Sequence, residues 1–142
     1  MLFYNFGFSQ ETEPKFDENL AKSLKADEYG MKKYVFCLLK SGTNTTASKE
    51  ETQKLFEGHM ANINKLAKEG KLVVAGPFMK NDRSYRGIYI FNVETIAEAE
   101  ALVATDPAIK AKLLEAELTP WYSSAALQET LKIHEKIAKK KI

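Results

Sequence analysis

The sequence predicts an α+β protein whose core, residues 31–123, runs strand, helix, strand, strand, helix, strand. Three observations carry this. Four short stretches are dense in β-forming residues or alternate apolar and polar positions with a period of two. Helical stretches with cap signals separate the first strand from the second and the third from the fourth. The length, 142 residues, suits a single domain.

The elements follow in order. Residues 31–39 contain the apolar run Tyr34-Val35-Phe36-Cys37-Leu38-Leu39 and read as the first strand. Residues 41–48 are loop-like, and Asn44-Thr45-Thr46 matches a glycosylation sequon. Ser48 followed by Glu51 has capping-box spacing and opens a long helix. Leu55, Phe56, His59, Ile63, Leu66 and Ala67 share one face of it, and Gly70 ends it. Residues 71–78 form the second strand, interrupted by Gly76-Pro77, and residues 80–84 a polar turn. In the third strand, residues 85–93, Tyr85, Gly87, Tyr89 and Phe91 point one way and Arg86, Ile88, Ile90 and Asn92 the other. Residues 94–105 are a second helix, rich in alanine and glutamate. Asp106-Pro107 then starts a further helical turn, with Asp106 as cap and Pro107 at the first position. Residues 112–118 are the fourth strand, with Leu114, Ala116 and Leu118 on its apolar side.

Two segments flank this core. Residues 1–30 are an N-terminal extension. Residues 1–9 are aromatic and lack lysine and arginine, and they read either as the end of a signal peptide without its basic start or as an apolar arm docked on the body. The first reading places the protein outside the cytoplasm, the second in it. Phe16, Leu20 and Leu24 are spaced to lay one stripe of a short helix on the body. At the other end, residues 124–142 hold an amphipathic helix with Leu127, Leu131, His134 and Ala138 on one stripe, flanked by Ile137; His134 reads as a packing or interface residue.

The core order is the split-βαβ, ferredoxin-like arrangement. Its two crossovers are right-handed and put both helices on one face of the sheet. The other face is then bare yet apolar, and a second copy of the chain is the simplest cover.

Composition narrows the function classes. A net charge of +2 with interspersed signs argues against a nucleic-acid surface. No segment has the roughly 20 apolar residues of a membrane span. The single cysteine, Cys37, reads as a buried, inert thiol. Two histidines on separate helices give no metal-ligand cluster, and no phosphate or dinucleotide loop marks a cofactor.

Three stretches resemble the YCII-related family over about residues 32–121. They are Gly58-His59-Met60-Ala61-Asn62-Ile63 with Lys68-Glu69-Gly70-Lys71-Leu72, then Val74-Ala75-Gly76-Pro77-Phe78, then Ala104-Thr105-Asp106-Pro107. The resemblance implies ferredoxin-like sheets pairing into a homodimeric α/β barrel. It also implies a small-molecule cleft with His59 and Asp106 as an acid–base pair, and no cofactor is expected. The chain departs from the family pattern in its two flanking segments and in Ala75, where DGPF relatives carry an acid. The residues themselves allow a structural alternative: His59 tying its helix to the Asp106 turn. The two roles of Asp106 are compatible, because one carboxylate oxygen can cap while the other binds histidine. Gly76, Pro77, Phe78, Arg83, Tyr89 and Trp121 are the candidate substrate contacts. The chain is expected to form a homodimer or a higher oligomer, with two functions in competition: a cofactor-free proton-transfer enzyme of isomerase or lyase type, and a non-catalytic ligand-binding or assembly module of the same fold.

Overall fold

A computed structural model describes residues 13–140. Residues 1–9, for which a signal remnant or a docked arm is expected, lie outside the described residues. The elements are α1 (Glu18–Ser23), β1 (Met31–Ser41), α2 (Lys49–Lys68), β2 (Leu72–Pro77), β3 (Tyr85–Phe91), α3 (Ile96–Val103), α4 (Pro107–Lys110), β4 (Leu114–Ser124), a 3₁₀ turn (Ala125–Glu129) and α5 (Thr130–Ile137). The sheet order is β2-β3-β1-β4 and every pairing is antiparallel. This is the ferredoxin-like fold.

Local chemistry sets the boundaries. Ser48 and Glu51 form the reciprocal capping box at the start of α2. Gly70, at φ +70°, takes the left-handed conformation that ends it. Thr95 and Glu98 form a second box at α3. Val35, Cys37 and Leu39 of β1, Tyr89 and Phe91 of β3 and Leu114 of β4 face the helices and pack on Leu66, Ala99 and Ala108. Alternation in β3 thus sorts its two faces as the period of two requires.

The structure corrects the outline in four places. First, β4 does not stop at residue 118: its ladder with β1 continues through Val35–Pro120 and Tyr34–Trp121 to Met31–Ser124. The proline is tolerated because β4 is an edge strand, with no neighbour on its far side to need the missing N–H. Second, the stripe of α1 is not laid on the body, since Phe16 is 76% and Leu20 50% exposed. Third, the outer sheet face is not bare. Tyr34, Val73 and Ile90 on that face are buried, with Leu127 packed against them from the C-terminal segment. The C-terminal helix is also shorter than the periodicity indicated, and His134 and Ala138 are exposed rather than packed.

One close approach fixes the helical layer. A Cβ added at Gly58, in the middle of α2, would lie 2.7 Å from the Pro107 Cγ of α4. An alanine in a helix interior ordinarily stabilises by up to about 1 kcal/mol over glycine. Here the sign should reverse, because the added methyl overpacks a helix contact, at a typical cost of about 1–3 kcal/mol. Urea denaturation of Gly58→Ala is expected to show a net loss of stability. A gain would mean that α2 and α4 separate without cost.

Candidate active site

The site lies where α2 meets the turn before α4. Apolar residues of α2 face the sheet, and His59 shares their side, so folding carries its ring out of water: the residue is 8% exposed. Asp106 caps α4 and is 1% exposed. Its Oδ1 accepts from the Ala108 amide at 2.9 Å and the Ile109 amide at 3.4 Å. Its Oδ2 lies 2.7 Å from His59 Nδ1. One carboxylate therefore caps a helix with one oxygen and holds the imidazole with the other.

Tyr89 closes the cluster from the sheet. Its hydroxyl donates toward Asp106 Oδ2 at 3.3 Å and lies 3.3 and 3.4 Å from the two ring nitrogens of His59. Its ring stacks on the imidazole at 6.0 Å, and Phe56 meets the imidazole edge-on at 5.7 Å. Thr105 donates to Asn62 at 3.0 Å, a second tie between α2 and the Asp106 turn.

The electrostatics follow from burial and pairing. Burial, the largest single influence, pushes the Asp106 carboxyl up, but the hydrogen bond and charge of His59 and the two amides outweigh it and hold the group below the usual carboxylate range. The ionised carboxylate is an acceptor only, so His59 donates to it through Nδ1–H, and in the neutral form of the ring the lone pair lies on Nε2. Burial and then the Asp106 charge push the Tyr89 hydroxyl upward, which keeps it a neutral donor. The same two influences push the Cys37 thiol up to about 12, so it remains protonated.

The expected contacts divide. His59, Asp106 and Tyr89 come together. Gly76 and Pro77 sit on the β2 edge, paired with Ile88 and Gly87. Phe78 packs on Tyr85 at the hairpin end, and Arg83 is exposed in the turn, its amide donating to Asn81. Trp121 does not share the site: it packs against Tyr34 and Phe36 on the opposite sheet face. Phe56 and Gly58 were missed as site-builders. A glycine inside a long amphipathic helix, beside a histidine on its buried face, was the available signal for Gly58. Among the described residues no three His, Cys, Asp or Glu side chains are grouped to hold a metal ion, and no helix is long and apolar enough to cross a membrane.

The lowered Asp106 pKa carries a sign. A depressed carboxyl stabilises the fold above its unfolded pKa of about 3.9, and the contribution disappears as pH falls through the lower folded value. Asp106→Asn is expected to cost about 1–3 kcal/mol at pH 7, the scale for a buried partner left unsatisfied. The gap to wild type should narrow as pH falls below about 3.9. Denaturant titrations between neutral pH and pH 3 measure it, and a gap constant with pH would mean that no ionised carboxylate stabilises the fold there.

The geometry can be set beside known proteins. Among solved structures the chain is similar to a 5-chloro-2-hydroxyhydroquinone dehydrochlorinase from Burkholderia phenoliruptrix in complex with 2,5-dihydroxybenzoquinone. Identity is 22% and the TM-score 0.44, over 61% of this chain and 92% of that one. No curated protein matches the chain. The family model of the YCII-related domain matches residues 34–122, more than half of the sequence, and the chain belongs to that family.

Proposed function

We propose that the protein is a homodimer with a small-molecule site at His59 and Asp106, and that it acts as a cofactor-independent acid–base catalyst of isomerase or lyase type. The observation that carries the reading is the buried 2.7 Å contact between His59 Nδ1 and Asp106 Oδ2. Asp106 fixes the tautomer, so Nε2 is the atom that removes a proton from the substrate. The imidazolium formed is stabilised by the carboxylate beside it, as in other His–Asp pairs. The same Nε2 then returns the proton to another substrate atom, or to a leaving group, and restores the resting ring. Small cyclic or carboxylated compounds are the substrate class. Tyr89 keeps the pair aligned by donating to Asp106, and the stacked Tyr89 and edge-on Phe56 rings keep the imidazole from turning.

One observation favours the non-catalytic module. Among the described residues there is a shallow groove of about 510 Å³ along α2, bounded by Gln53, Phe56, Glu57, Met60, Ala61 and Asn64, and a second hollow of about 460 Å³ beside Gly42 and Lys112. Neither is lined by His59 or Asp106. In that reading the pair is a fastening between α2 and α4, and ligands bind elsewhere.

Ligand binding separates the two. A thermal-shift panel of small cyclic and carboxylated metabolites is expected to give compounds that stabilise wild type and lose their effect on His59→Gln and Asp106→Asn. Compounds that shift all three proteins alike, or no shift at all, would favour the module. Light scattering at micromolar concentration is expected to give twice the mass of the chain, and a monomer there would remove the homodimer.

A further inference from the structure

The outer sheet face has an occupant within its own chain. Tyr34 is 0%, Val73 4% and Ile90 3% exposed in a single copy, and Leu127 packs on them from the C-terminal segment, beside Phe36 and Val74 of the sheet and with Trp121 against the Tyr34 ring. The segment is fastened at several points. The Ala125 amide donates to the Gly30 carbonyl at 2.9 Å. Tyr34 donates its hydroxyl to the Ser124 carbonyl at 3.0 Å. Gln128 donates to the Leu24 carbonyl at 2.7 Å and accepts from Asn92 at 3.4 Å. Beyond these anchors α5 has no buried residue, and Ile133 and Ile137 are 58% and 74% exposed. Eight residues are too few to hold a helix alone in water, so α5 depends on the anchored turn.

The rest of the face is open. Phe36, Leu38, Val74 and Ile88 are half-buried, and Trp121 is 39% exposed. Two sheets that pack face to face lie about 10 Å apart. A helical segment with its side chains is about 10–12 Å across. The layer over Tyr34, Val73 and Ile90 therefore holds either this segment or a second sheet, not both.

We propose that residues 124–137 are a built-in competitor for the face through which two copies associate, so that this segment sets how tightly they hold together. The proposal rests on the homodimer reading above. With the segment seated, only the Phe36, Leu38, Ile88 and Trp121 half of the face meets a partner. With it released, the three buried side chains join the contact.

The test uses the full chain. Leu127→Asp places a charge against Tyr34, Val73 and Ile90 and releases the segment. Gln128→Ala removes two of its anchors without adding charge and serves if the first variant fails to fold. Sedimentation velocity over a concentration series gives the self-association constant. Trp121, the single tryptophan, reports burial of the face through its emission. The expected result is dimerisation tighter by about tenfold or more in Leu127→Asp, about 1.4 kcal/mol or more, because the uncovered apolar side chains are reburied against the second copy. Gln128→Ala should move the same way by less, and Trp121 emission should shift to the blue at lower protein concentration. Unchanged or weaker association in both variants overturns the proposal. A monomeric wild type with dimeric variants upholds it and removes the homodimer reading for the intact chain. A dimeric wild type with an unchanged constant does the reverse.

Discussion

The contact between His59 and Asp106 joins two parts of the chain that the sheet alone would leave independent. α2 is a crossover connected to β1 and β2, whereas α4 is a single turn between α3 and β4. Asp106 caps the one and grips the other. A hydrogen bond involving a charged group contributes about 1.5–3 kcal/mol, and this one lies in a region where an unpaired carboxylate would be strongly unfavourable. Gly58 makes the approach possible by leaving the Pro107 ring room against α2. The positions of Phe56, Tyr89 and the Thr105–Asn62 bond all follow from that approach.

The same contact defines what chemistry is within reach. A carboxylate held ionised by two amides and an imidazole accepts but does not donate, so the tautomer of His59 is settled by the fold and not by the solvent. Tyr89 and Cys37 lie in the field of the same charge and keep their protons. The His59 side chain is 11% exposed.

The sheet has two faces with different fates. The helical side is closed by α2, α3 and α4. The outer side is shared between the anchored residues 124–129 and an open apolar remainder. The exposed Phe16, Leu20, Ile133 and Ile137 belong to the flanking segments, where short helices have too little contact with the body to bury their stripes.

Local chemistry in the sequence determined much of this. Ser48 with Glu51 started α2, Gly70 ended it, Asp106-Pro107 started α4, and the alternation in residues 85–91 sorted the two sheet faces. Each depends on interactions within a few residues of the chain, so each is written in neighbouring letters. The ordered stretches around His59, Gly76-Pro77 and Asp106-Pro107 likewise carry the family likeness in the sequence itself. What tertiary structure alone decided were matters of long-range neighbourhood. Pro120 hid the continuation of β4 because only the edge position makes a proline harmless there. Trp121 and Tyr89 looked like partners in one pocket, but strand register puts them on opposite faces. The apolar stripe that begins at Leu127 gave no sign that Leu127 would dock on the outer sheet face while α5 stayed exposed, because amphipathicity marks an apolar face but not what it meets. The 2.7 Å contact across 47 positions of chain was the least local of all. It exists because the crossover returns α2 to the start of α4, where an unusually bare helix surface at Gly58 lets the two meet.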